Sequence, residues 1–375
     1  MVRPQPEPSL FDRLLQWLGL APTRSLPQRK KVRSRARRAG TKKAPWSGQT
    51  PPWRPPQVAT SLDPVDLRLQ VRDDLLARVE RLEALSADRV KGDIAFLTRL
   101  SRTMSSKSLD LPVFPSVSIE LDRLLRGGDP NSREVVKLLS REPDLLRRVW
   151  QRANCALYRV PVTDIDKAIA RIGYDEIWRI GMSVCLQGTV FRAGPYQPQV
   201  EELRSMGMIA GNMAAWLERT PRGESYLAGL LHPAGAMYIL RHAAQSRSLR
   251  PSDACIAQVI HQHSAALSVL MVRAWNLGDK VAAGVGGFGQ PREAPEDVRP
   301  FVENLRTGVL AAHIGKGAVR GGGSAEDRIL LQSYLDEAFE VDRVVKRAER
   351  AWKAETDGEQ IDEKVVEQDT VALSA

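Results

Sequence analysis

Few side chains in this sequence have the types and spacing for chemistry. His232, His261, His263 and His313 can hold a metal or move a proton, and Cys155, Cys185 and Cys255 can act as thiolates. A run of cations, Arg29, Lys30, Lys31, Arg33, Arg35, Arg37, Arg38, Lys42 and Lys43, has the density to neutralise several phosphates, with Trp46 and Trp53 available for stacking or for insertion at a lipid interface. His261 and His263 form an H-x-H pair. Two positions on a helix are about 200° of rotation, so one face cannot present both to one ion. His232 has two readings, a vestigial ligand or a helix-end imidazole bonded to a backbone carbonyl. The cysteines form no C-x-x-C pair, so neither a disulfide framework nor a zinc knuckle is encoded. Each lies in an apolar helical pattern without a local cation to depress its pKa, which suits packing in a reducing compartment.

Other motifs carry less. Gly284-Val285-Gly286-Gly287-Phe288-Gly289 satisfies G-x-G-x-x-G formally, but no strand precedes it and Pro291 and Pro295 follow where a phosphate-binding helix would begin, so it reads as a loop. His313-Ile314-Gly315-Lys316-Gly317 lacks the glycine spacing and the hydroxyl of a P-loop. Arg148 and Arg152 form an R-x-x-x-R pair of the kind seen in cyclic-dinucleotide readers, without the companion D-x-S-x-x-G element; the same spacing describes a solvated helix face.

The elements that must position these groups are helical. From Leu62 onward apolar residues recur at three and four positions, and strict alternation is nearly absent, which makes the fold all-α. Asp63-Pro64 opens a helix by cap and N1 proline, Asp88 a second, and the pair forms an extension over 61–107. Helices follow at 116–126, 132–141, 143–155 and 164–172, the last closed by Gly173, then at about 175–192, 198–219, 223–242, 252–276, 299–318 and 325–353. Residues 1–60 differ: they hold ten of the 24 prolines and 13 Lys or Arg against two acids, whereas the remaining residues hold 42 basic and 43 acidic side chains. All the excess positive charge is therefore in this arm, which cannot build a core and reads as disordered apart from a short amphipathic helix at 9–20. The tail, 355–375, is acidic and poor in large apolar residues, and reads as disordered. No run approaches 18 consecutive apolar residues, and the N-terminus lacks a signal-peptide h-region, so an unsecreted protein is expected.

Four blocks in residues 111–316 resemble the HDOD domain, the HD-related output domain of bacterial signalling proteins. Leu111-Pro112-x-Phe114-Pro115 matches its L-P-x-L-P opening, and Leu139-Ser140-Arg141-Glu142-Pro143-Asp144-Leu145 its I-x-x-D-P-x-L junction. Ala153-Asn154-Cys155-Ala156-Leu157-Tyr158, with Ile165, Ala168-Ile169 and Ile172-Gly173 in step, matches A-N-S-A-x-Y and I-x-x-A-I-x-x-L-G. Leu227-Ala228-Gly229-Leu230-Leu231-His232 matches the start of F-x-A-G-L-L-H-D-I-G, and is joined by His263 and Trp275 in place of its H-A-x-x-G-x-x-L-x-x-x-W.

The resemblance implies a degenerate relative of HD phosphohydrolases, whose metals polarise a phosphoryl oxygen and generate hydroxide. Its departures bear on that chemistry. Pro233 stands where the Asp of the His-Asp pair belongs, the histidine expected near Ser205-Met206 is absent, and Gly286-Gly287-Phe288-Gly289 replaces a later histidine pair. His313 falls near a lost terminal Asp. Only His232 and His263 remain at matched ligand positions, too few for a charge-balanced site. The expectation is an HDOD-like body at 108–318 with a C-terminal helix at 319–354. It needs no cofactor and acts as a non-catalytic, cytoplasmic signalling protein through an unidentified protein partner, docked on the 61–107 helices. The alternatives are a divergent HD-type phosphohydrolase acting on nucleotides or cyclic dinucleotides, and a protein whose arm meets an anionic membrane at its inner surface or nucleic acid. The oligomeric state stays open.

Overall fold

The computed structural model describes residues 54–357, except 86–89, 107–109, 113–114, 127–130, 155–159, 163, 187–190, 219–222, 246–248, 321–323 and 336–338. The basic run, the 9–20 segment and the tail beyond Asp357 lie outside the described residues. Among those described, every regular element is helical. These are α1 (Pro64–Glu83), α2 (Lys91–Ser105), α3 (Ser116–Arg126), α4 (Ser132–Ser140), α5 (Pro143–Ala153), α6 (Ile165–Ser183), α7 (Gln197–Leu217), α8 (Glu224–Leu231), α9 (Ala234–Ala244), α10 (Asp253–Ala274), α11 (Asp279–Gly287), α12 (Arg299–Val319), α13 (Ala325–Gln332) and α14 (Val341–Asp357), with short 3-10 turns between.

The starts are chemical. Asp63 accepts from the N–H groups of Val65 and Asp66 at 2.8 and 3.1 Å, ahead of Pro64. Asp164 caps α6 through Asp166 N–H at 2.9 Å. The break expected at Gly173 is a kink inside α6: the glycine sits at φ +79°, where a Cβ would be strained. Ser252 caps α10, and its own N–H and hydroxyl bond the buried Asp93 of α2 at 2.5 and 2.8 Å, joining the N-terminal extension to the body.

Around α7 pack α8 and α12; α14 covers α12, and α10 is enclosed by α1, α9 and α11. By length and composition α10 would suffice to cross a bilayer, and its side chains are largely buried in the protein. Helices α3–α6 form a second layer, tied to the first where Trp178 meets Tyr226 and the Tyr226 hydroxyl donates to Arg179 O.

Three further helix expectations change. The single helix expected at 223–242 is two, α8 and α9, because Pro233 has no N–H to continue the ladder. Ser268 of α10 bridges the break, its hydroxyl donating to His232 O at 3.0 Å and accepting from Gly235 N–H at 2.9 Å. The helix expected at 325–353 is also two. On one straight helix the buried Leu331 of α13 and Val344 of α14 would lie about 220° apart; the break lets both face inward. Residues 284–289 are not a loop, since α11 runs to Gly287. Val281, Ala282 and Val285 are buried, and a Cβ on Gly284 would lie 2.6 Å from the Phe301 ring. Close packing overrides glycine's poor helix propensity.

The end of the arm is packed. Residues 54–62 run extended across α10 and α11, with Gln57 N–H on His261 O at 2.8 Å and Ala59 N–H on Gly286 O at 2.9 Å. A Cβ on Gly289 would collide with Pro56 O at 2.6 Å.

Candidate functional site

The helix junction at His232 is where an HD-type centre would be assembled. Gly229, one turn earlier, sits at the α7–α8 crossing, where a Cβ would lie 2.5 Å from Gly211 Cα; only paired glycines allow this approach. The crossing sends His232 inward. Its Nδ1–H donates to Gly229 O at 2.6 Å, and its ring meets Phe288 edge-on, with centroids 5.5 Å apart. Burial pushes the imidazole down to about 4, so it is neutral at physiological pH.

His263 is buried on α10, held at about 4 by burial and then by the Arg78 guanidinium, which reaches in from α1. His261 is half-buried and is lowered by burial and by Arg54. His313, on α12, is buried and pushed to about 3 by burial and Lys316.

This donor set does not fit a divalent metal. Carboxylate and imidazole donors must converge on one point. Here His232 spends one nitrogen on a carbonyl, the adjacent Pro233 has no ligand atom, and an apolar ring lies beside the imidazole. Among the described residues no three His, Cys, Asp or Glu side chains are grouped to hold an ion.

A polar cluster that sequence reasoning missed lies on α7 and α12. Glu202 Oε1 pairs with the buried Lys316 ammonium and with Arg320 Nη1 at 3.0 Å. Burial lowers Lys316 to about 8, with Glu202 opposing the fall. Its signal in the sequence is a lysine, Lys316, inside the apolar periodicity of 305–316.

The family blocks are joined by structural bonds. Trp275 Nε1 donates to Pro112 O at 2.8 Å, linking two blocks 163 residues apart. Asn154 forms a reciprocal pair with Val162, accepting its N–H at 2.7 Å and donating to its carbonyl at 3.1 Å. Arg171 adds bonds to Ala153 O and Val160 O. These residues hold the backbone of the blocks together. Cys255 is buried, its thiol pushed up to about 12 by burial and Asp93, so it is no nucleophile at neutral pH. Cys155 lies outside the described residues, as does the side chain of Cys185.

The fold and these joined blocks define an all-α domain of the HDOD class, and residues 111–286 match the HDOD domain family. The chain therefore carries an HDOD domain. It is 22% identical over 231 residues to an uncharacterized protein of Treponema pallidum (strain Nichols), covering 56% of this chain and 43% of that protein, so the chain spans less than half the length of this curated relative. An HDOD domain protein of unknown function from Geobacter sulfurreducens is 17% identical, with 73% of this chain and 93% of that chain covered and a TM-score of 0.46. A Shewanella amazonensis SB2B protein, provisionally named a metal-dependent phosphohydrolase, is 18% identical, with 68% and 99% covered and a TM-score of 0.47.

Proposed function

We propose that this protein is a non-catalytic signal-transduction protein whose HDOD domain acts by binding another protein. The observation that carries the reading is the state of His232: its Nδ1–H is committed to Gly229 O, Phe288 lies against its ring, and Pro233 replaces the neighbouring carboxylate. Hydroxide-generating metal chemistry needs converging anionic donors at this point, and the side chains there are spent on packing. The 61–107 helices, welded to the body through Asp93 and Ser252, are the docking element in this reading. The basic arm places the protein at an anionic membrane surface in the cytoplasm.

Crosslinked affinity purification with the full chain and with residues 61–375, alongside metal analysis and a phosphodiesterase assay, tests this. One protein retained by both baits, with no stoichiometric metal and no hydrolysis, is expected. Metal-dependent turnover would replace the adaptor reading with the phosphohydrolase one. For the arm, binding to anionic vesicles should fall steeply with salt and vanish when residues 1–60 are removed.

A further inference from the structure

The outer face of α1 presents large apolar side chains to solvent. Val65, Leu69 and Leu76 are 61%, 43% and 40% exposed. At 100° per residue they fall within about 40° of one another and form one stripe along the helix. This stripe is distinct from the face that buries Leu67, Val71, Leu75 and Val79 against the body. One edge of it is acidic, because Asp66, Asp73 and Glu80 recur every seven residues.

The charges of α1 do not cancel locally. Asp66, Asp73, Asp74, Glu80 and Glu83 are exposed, and Arg81 is the exposed cation of the helix. Its other arginines are half-buried: Arg72 bonds Asp73 at 2.7 Å, Arg68 donates to Met104 O at 3.0 Å, and Arg78 donates to Gln262 Oε1 at 3.4 Å. An apolar stripe with an acidic edge fits an amphipathic helix that brings cations. Two copies of α1 paired antiparallel on this stripe would set acidic edge against acidic edge, which disfavours a second copy as the occupant.

The chain holds such a segment in its own arm, outside the described residues. Leu10, Leu14, Trp17 and Leu18 stand at i, i+4, i+7 and i+8; Asp12 and Arg13 cancel, and Arg24 and the run from Arg29 to Lys43 add positive charge after them. The arm also joins the body beside α1. Gln57 N–H bonds His261 O at 2.8 Å, and the next residue, Gln262, is the one that Arg78 of α1 reaches. Residues 21–53, fully extended, span on the order of 100 Å, so chain length sets no obstacle, and the tether makes the contact intramolecular.

We propose that residues 9–20 dock on the Val65–Leu69–Leu76 stripe of α1, with the cations that follow lying along its acidic edge. The arm thereby masks α1. This contact does not depend on the adaptor reading; under that reading, which makes α1 part of the docking element, the arm competes with the partner for it.

Hydrogen exchange of the full chain at low ionic strength, followed over residues 9–20, provides the test. Leu69→Glu with Leu76→Glu is expected to speed exchange there at least tenfold and to leave α6–α12 unchanged. Asp66→Lys with Glu80→Lys, which keeps the stripe, should speed it as well, as should potassium chloride at about 0.5 M. Exchange over 9–20 that is the same in the wild type and the stripe variant overturns the proposal. So does protection that fades on tenfold dilution, which would mark a second copy. If the stripe variant fails to fold, the same comparison with Asp66→Lys, Glu80→Lys decides. An affinity purification that retains no partner would leave the exchange result standing, so the two readings fail separately.

Discussion

At His232 a nitrogen suited to a metal serves a carbonyl, and the residues around it extend that trade. Pro233→Asp returns the missing ligand type without freeing Nδ1 or moving Phe288, so the variant is expected to hold no stoichiometric zinc after dialysis, as read by elemental analysis. The buried pair on α7 and α12 carries a larger energetic stake. Lys316→Met leaves Glu202 buried with Arg320 alone, and should cost about 3 kcal/mol in urea unfolding, whereas the double variant with Glu202→Leu should recover most of the loss. A single variant as stable as the wild type would show that the pair is immaterial. The histidines set a pH limit. Burial holds His232, His242 and His263 at about 4 and His313 at about 3, while in the unfolded chain they titrate near about 6.5. Below that value the unfolded state binds more protons. The stabilisation is therefore complete above about pH 6.5 and is lost as pH falls toward 4, on the order of 2 kcal/mol for each buried imidazole. The urea midpoint should drop steeply across that window, and a flat profile would contradict the burial.

Among the elements, close crossings decide more than local propensity. The α7–α8 contact rests on Gly211 and Gly229, so Gly229→Ala is expected to destabilise by about 1–3 kcal/mol, although alanine is the better helix former. A neutral or stabilising effect in thermal unfolding would mean that the helices separate at little cost. α14 is held to α12 by the buried Trp352, whose Nε1 donates to Ala312 O at 2.6 Å, and by the contact of Gly315 with Ala348. The helix starts were legible in sequence because each cap is local: Asp63, Asp164 and Ser252 bond N–H groups two or three residues away. The break at Pro233 has an equally local cause, the missing proline N–H, with Ser268 satisfying the groups it frees; the helix through Gly287 was not legible, because it depends on a partner on another helix, Phe301.

For the whole molecule, the segment ahead of α1 adds to the packing of the body. Residues 54–60 contribute two backbone hydrogen bonds to α10 and α11, so a chain beginning at 61 should be less stable than one beginning at 54 by about 1–3 kcal/mol. Equal unfolding midpoints for the two would show that this segment only rests on the surface. The sequence by itself determined the helical class, the caps, the HDOD blocks, the loss of the His-Asp pair and the confinement of excess positive charge to the arm. These follow from residue identity and short-range periodicity. Tertiary structure alone decided that Trp275 meets Pro112, that Phe288 lies against His232, that Glu202 and Lys316 pair inside the bundle, and that Arg152 is taken by Glu176. Each joins residues from separate segments of the chain, whose relative placement is fixed by packing of the whole chain and leaves no periodic trace in any one segment.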